Sequence, residues 1–178
     1  FPGGGLSRVD TAAVEELPQL EGPEAVAVAC ILREMSEELG LSPSKNGLVA
    51  IPVAARNEIV ADKKRYLPLA IKDTFPIERT AIRVPSHRIT PPFGPIQFDN
   101  AFLHLHAGDA HTVPDIDLEP QTEFTEVLWA TPQEILHRWS KYEMKVAPPV
   151  VTLLMEIERT LIRKQRNMNA AAEDISER

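Results

Sequence analysis

Val28, Leu32, Met35 and Leu39 recur at spacings of four, three and four, which predicts a helix over 24–39 with one apolar stripe. Pro23 and Glu24 suit its first turn, and Gly40 stands where a glycine ends a helix. Upstream, 6–22 holds Pro18, Gly22 and several acids and reads as a loop with a helical turn. Asn46-Gly47 is a turn signal and 48–53 a short strand. Ile59, Lys63, Tyr66, Leu67 and Ala70 give 57–71 helical character, whereas five prolines make 72–95 mostly loop. In 96–106 both alternating sets contain apolar residues, as in a central strand. Gly108-Asp109 turns the chain, and 124–129 reads as another strand. Thr131, Pro132 and Glu134 form an N-cap, first turn and capping partner for a helix to about Trp139. Pro148-Pro149 opens a last helix to about Arg166, with Val150, Leu153, Leu154, Ile157, Leu161 and Ile162 at helical spacing. The tail after Asn167 is polar and expected to fray. Helices on either side of mixed strands point to an α+β sandwich.

The polar side of the first helix changes the picture. Glu34, Glu37 and Glu38 fall at i, i+3 and i+4 and share a face. Like charges so placed repel by a few tenths of a kcal/mol per pair, a cost that a bound cation removes. Hard oxygen donors favour Mg2+ or Mn2+ over zinc. An acidic helix face is most often just solvated. Here Arg33 precedes the first glutamate, Gly40 follows the last, and Gly3-Gly4-Gly5 lies upstream, which favours a site.

Composition narrows the classes. The 178 residues suffice for one domain with a sizeable core, and 43% apolar with 25% charged residues is ordinary for a globular enzyme. No run approaches the roughly 20 apolar residues of a membrane span, and no signal peptide is visible. A net charge of −7 argues against broad nucleic-acid binding, but not against a phosphate ester met through a metal ion. Cys30 is the sole cysteine, so no internal disulfide forms. It reads as a small semi-buried residue rather than a catalytic thiol. His104 and His106 share a strand face, but two histidines without a third ligand read as structural. Trp129 and Trp139 read as core or rim.

The stretch Arg33-Glu34-Met35-Ser36-Glu37-Glu38-Leu39-Gly40-Leu41 is similar to the second half of the Nudix box, and Phe1-Pro2-Gly3-Gly4 resembles its first half. The box has a glycine, five residues, a glutamate, then seven residues before the arginine. Here Gly4 and Arg33 stand much further apart, so the loop carries an insertion. Eight positions before Arg33 stands Ala25, with Glu24 the nearest acid. An inserted loop resembles the coenzyme A diphosphatase branch (nucleoside diphosphate-linked moiety X motif 19 type). Three later segments resemble it too: Arg88-Ile89-Thr90-Pro91 with Gln97-Phe98-Asp99-Asn100-Ala101-Phe102-Leu103, Glu126-Val127-Leu128-Trp129-Ala130-Thr131-Pro132, and Val146-Ala147-Pro148-Pro149.

The resemblance implies a Nudix α/β/α sandwich with a mixed sheet and the box as loop–helix–loop, over 1–166, with 167–178 a polar tail. In the family a strand leads into the glycine loop, so further strands are expected before Phe1. It implies Glu34, Glu37 and Glu38 as ligands of Mg2+ or Mn2+, and Arg33 as the residue that holds them. Gly3, Gly4 and Gly5 would allow close backbone approach and a carbonyl ligand. The water-activating base is a box glutamate or a later acid, Glu123 or Glu126; Lys63, Lys64 and Arg88 are candidate phosphate contacts. The expected reaction is hydrolysis of the pyrophosphate of coenzyme A or its acyl esters, giving adenosine 3′,5′-bisphosphate and (acyl-)phosphopantetheine. ADP-ribose or dinucleoside polyphosphate hydrolysis is the nearest alternative, and a non-hydrolytic nucleotide-binding module the other. The partner is thus a small nucleotide diphosphate, with neither nucleic acid nor membrane, and with a homodimer left open. Cytoplasm is the simpler location. Peroxisomes and mitochondria stay open for a eukaryotic source, although Ser176-Glu177-Arg178 is a poor peroxisomal ending.

Overall fold

The computed structural model describes residues 1–17, 22, 24–44, 47–71, 82–89, 92–93, 96–105, 107, 114–116, 126–164 and 175. The chain forms two compact units: Phe1–Ile82 with Leu105–Val127, and Arg83–His104 with Leu128–Arg178.

The first unit begins with α1 (Arg8–Glu16), which replaces the expected loop. The Ser7 N–H and hydroxyl both donate to Asp10 Oδ2, at 2.8 and 3.0 Å, so a serine and an acid three residues on start a helix in a stretch with little apolar periodicity. The anticipated helix is α2 (Ala25–Glu34), continued by a π turn (Met35–Leu39) and ended by Gly40 at φ +62°. Ser36 Oγ donates back to the Leu32 carbonyl at 2.8 Å, a bond that competes with the regular ladder where the helix widens. α1 packs on α2.

Strands β1 (Leu41–Ser44) and β2 (Gly47–Ala50) pair antiparallel, from Leu41 opposite Ala50 to Ser44 opposite Gly47. The strand expected over 48–53 thus begins one residue earlier and ends at Ala50, with Val53 already in a helix, and it has a partner that no alternation announced. Met35, Leu41 and Leu48 form a buried cluster, against which Ile31, Leu39, Leu105, Ala107 and Ile116 pack. The helical character of 57–71 resolves into α3 (Val53–Ala61), a 3-10 turn (Lys63–Arg65) and a π turn (Leu67–Ile71). Ile59, Tyr66 and Ile71 are fully buried.

In the second unit, β3 (Ile82–Ile89) pairs with β4 (Asp99–Leu105). β3 is a strand inside the stretch 72–95 expected to be mostly loop, and Pro85 lies within it; an edge position tolerates a missing N–H. Residues 126–130 form no strand, which corrects the expectation there. α4 (Pro132–Ser140) begins as its capping signal required: the Thr131 N–H donates to Glu134 Oε2 at 2.7 Å and the Glu134 N–H to Thr131 Oγ1 at 3.2 Å. α5 (Pro148–Arg163) packs on α4 and buries Val151, Leu153, Leu154 and Leu161, whereas Ile162 is exposed. Gly108-Asp109 and the tail from 165 lie outside the described residues, Ile175 excepted. Among the described residues no helix is long and apolar enough to cross a membrane.

Candidate active site

Every residue of the glutamate motif lies in the first unit, where α2 presents it to the N-terminal glycine loop. Arg33 is the centre of the arrangement, at 1% exposure. Its Nε and Nη2 donate to the two oxygens of Asp10, at 2.7 and 3.1 Å, in the fork geometry that matches a guanidinium to a carboxylate. Its Nη1 meets Glu34 Oε1 at 2.7 Å and Glu37 Oε1 at 3.3 Å, and Nη2 also donates to the Gly5 carbonyl at 3.3 Å. One side chain therefore ties α1, the glycine loop and two of the three glutamates together. Its pKa is raised: burial opposes the charge, but the hydrogen bonds it donates to Asp10 and the charges of Glu34 and Asp10 more than offset it. Burial likewise works against the Asp10 carboxylate, yet its bonds to Arg33 and Ser7 hold it below the ordinary aspartate value.

The glycines are fitted to the glutamates. The Gly3 N–H donates to Glu38 Oε2 at 3.0 Å. A Cβ on Gly4 would stand 2.1 Å from Glu34 Oε1, so a side chain there would occupy the space of a candidate ligand. Cys30 Sγ lies 3.7 Å from both the Gly4 and Gly5 carbonyls. Burial, with Asp10 nearby, pushes its thiol up to about 11, which suits a packed thiol and not a nucleophile.

Two cations approach the glutamate turn from the segment after β2. Lys63 Nζ, half exposed, lies 3.1 Å from Glu37 Oε2. Arg56, 2% exposed, donates from Nε to the Glu37 carbonyl at 3.1 Å and from Nη2 to the Glu38 carbonyl at 2.6 Å. Lys64 is exposed. In the second unit, Arg88 pairs with Glu156 and His104 is half-buried on β4. Glu126 is exposed, while Glu123 and His106 lie outside the described residues. Trp129 is 58% exposed and Trp139 37%, so both are rim rather than core. Trp129 lines a surface cleft of about 600 Å³ with Leu128, Gln133, His137 and Arg138.

Counting back from Arg33 leads to Ala25 and Glu24 and passes over Asp10. Counting forward from Gly4 leads over five residues to Asp10, the spacing that the first half of a Nudix box gives its glycine and acid. The insertion therefore lies between Asp10 and Arg33, and the tertiary fold closes the gap of 23 positions. Glu24 is exposed at the start of α2. Arg56 had no comparable signal, since nothing in its sequence surroundings separates it from a solvated arginine.

Among the described residues no three His, Cys, Asp or Glu side chains converge as a set that could hold a metal ion where they stand. Glu34 and Glu37 lean on Arg33 and Lys63, and Glu38 on the Gly3 amide. The donor set fits a hard divalent cation in kind: three carboxylates within two turns, with the Gly4 and Gly5 carbonyls beside the same helix. Loading such an ion requires the carboxylates to exchange protein partners for the metal.

No protein-family model matches this chain, nor does any curated protein. The crystal structure of a NUDIX hydrolase from Alicyclobacillus acidocaldarius is similar, with a TM-score of 0.68 over 88% of this chain and 73% of that one, at 18% identity. The chain thus has the α+β fold of a Nudix hydrolase.

Proposed function

We propose that the chain is a metal-dependent hydrolase that cleaves the pyrophosphate bond of a nucleoside diphosphate derivative, with coenzyme A or an acyl-CoA as substrate. The observation that carries this reading is the buried Asp10–Arg33 pair, which locks a glycine loop against a helix bearing Glu34, Glu37 and Glu38. A solvated acidic face needs no such lock. The fold of the similar NUDIX hydrolase supports the same class.

Glu34, Glu37 and Glu38 would hold Mg2+ or Mn2+, Glu34 and Glu38 foremost. When bound, the cation neutralises charge that develops on the pyrophosphate and lowers the pKa of water. The chain's own residues do the rest. Arg33 fixes the direction of Glu34 and Glu37, and Asp10 fixes Arg33. The Gly3 amide orients Glu38, and the bare Cα of Gly4 leaves room for Glu34. A box glutamate accepts the proton of the attacking water as the bond from phosphorus to the bridging oxygen breaks. Lys63, at the solvent edge of Glu37, meets the anionic substrate. The products are adenosine 3′,5′-bisphosphate and (acyl-)phosphopantetheine. Coenzyme A is favoured over ADP-ribose and dinucleoside polyphosphates by the insertion between Asp10 and Arg33 and by the three later segments similar to the coenzyme A branch. The complete glutamate set favours catalysis over a binding-only module.

The test is product chromatography with Mg2+ or Mn2+ on coenzyme A, ADP-ribose and diadenosine polyphosphates. Turnover of coenzyme A is expected. Turnover of another substrate alone moves the substrate class, and no turnover of any of them with metal bound sinks the enzyme reading. Glu38→Gln should lower turnover by more than about tenfold, roughly 1.4 kcal/mol of barrier. Activity within that factor removes Glu38 from the ligand set.

A further inference from the structure

The turn that carries Glu37 and Glu38 is held by a residue that belongs to neither the glycine loop nor the glutamate helix. Arg56 on α3 is buried, and its guanidinium takes the main-chain carbonyls of Glu37 and Glu38 on two separate nitrogens, at 3.1 and 2.6 Å. These carbonyls lie at the open end of the helix, where the ladder supplies no donor and the dipole is negative. A planar fork presents two nitrogens to them in a fixed geometry, whereas a lysine has one nitrogen on a flexible stem. The stem of Arg56 rests on Gly40: a Cβ there would stand 2.9 Å from Arg56 Cδ and 3.2 Å from Nε and Nη1. The segment so clamped is the π turn Met35–Leu39, whose departure from α geometry sets where Glu37 and Glu38 point relative to Glu34.

We propose that Arg56 is a positioning residue: it locks the π turn, and with it the backbone of Glu37 and Glu38, in the form that presents their carboxylates to a divalent cation. Arg33 holds the side chains of Glu34 and Glu37, and Arg56 holds the main chain of Glu37 and Glu38. The proposal rests on the reading of the chain as a metal-dependent hydrolase.

The test measures Mn2+ binding to metal-free protein, by the electron paramagnetic resonance of free Mn2+, and coenzyme A hydrolysis at saturating metal. Wild type, Arg56→Gln, Arg56→Lys, Arg65→Gln and Glu38→Gln are compared. Arg65 is a half-exposed cation of the next turn that pairs with Glu58, so its loss controls for removal of a charge from the same segment. Arg56→Gln is expected to melt cooperatively, bind Mn2+ roughly tenfold more weakly and lose kcat with a smaller change in KM. Arg56→Lys should fall between it and wild type, and Arg65→Gln should match wild type. An Arg56→Gln protein that melts cooperatively and binds Mn2+ as wild type does overturns the proposal. If that variant does not fold, Arg56→Lys decides, and wild-type affinity there overturns it equally. Weaker binding in Glu38→Gln alone leaves the hydrolase reading standing and removes this one. A wild type that binds no Mn2+ removes both.

Discussion

Arg33 and Asp10 form the pair on which the candidate site turns, and their mutual burial makes a measurable prediction. Each is at 1% exposure or less, so removal of one charge strands the other in the interior. Breaking such a pair costs about 3–5 kcal/mol. Asp10→Asn should therefore lower Tm strongly at neutral pH. The Asp10 carboxylate is held below its ordinary value in the folded chain, so its contribution is complete above the ordinary aspartate pKa of about 3.9. It is lost as pH falls through the lowered value. The gap in Tm between wild type and Asp10→Asn should thus be widest near pH 7 and narrow in acid below about pH 4. A gap that widens in acid refutes the assignment. The sequence offered Arg33 through its place beside the glutamates, but it offered Asp10 only to a reader who counts from the glycine end of a stretched motif.

At the scale of elements, the signals that survived are those that act over three or four residues. Thr131 and Glu134 cap α4 as their spacing required, and Gly40 ends the glutamate helix in the left-handed region. Gly40→Ala places a Cβ where φ is +62° and presses it on the stem of Arg56. That conformation costs an alanine about 1–2 kcal/mol, so the unfolding free energy from urea titration should fall by that amount and the midpoint with it, m unchanged. A midpoint equal to wild type would show that the turn relaxes freely. The elements that sequence periodicity missed have a common cause. α1 is held by a cap and by Asp10 rather than by an apolar stripe, and β1 is four residues long, too short for alternation to register. β3 contains a proline, which local rules count against a strand.

At the scale of the molecule, Cys30 reports on the first unit. It is 5% exposed, and its thiol stays protonated at neutral pH because burial, reinforced by Asp10, raises it to about 11. Alkylation of native protein at pH 8 should be slow and should become fast only in urea. Rapid native alkylation would mean that the glycine loop leaves α2 readily. The sequence by itself determined the glutamate helix, its end at Gly40, the cap of α4, the proline start of α5 and the Nudix-like fold class, because caps, periodicity and motif spacing are written in neighbouring residues. Only the tertiary structure decided what holds the glutamates. Asp10 reaches Arg33 across 23 positions and Arg56 reaches the Glu38 carbonyl across 18. An ion pair or a hydrogen bond depends on distance in space, and no local pattern encodes a distance that the fold itself must close.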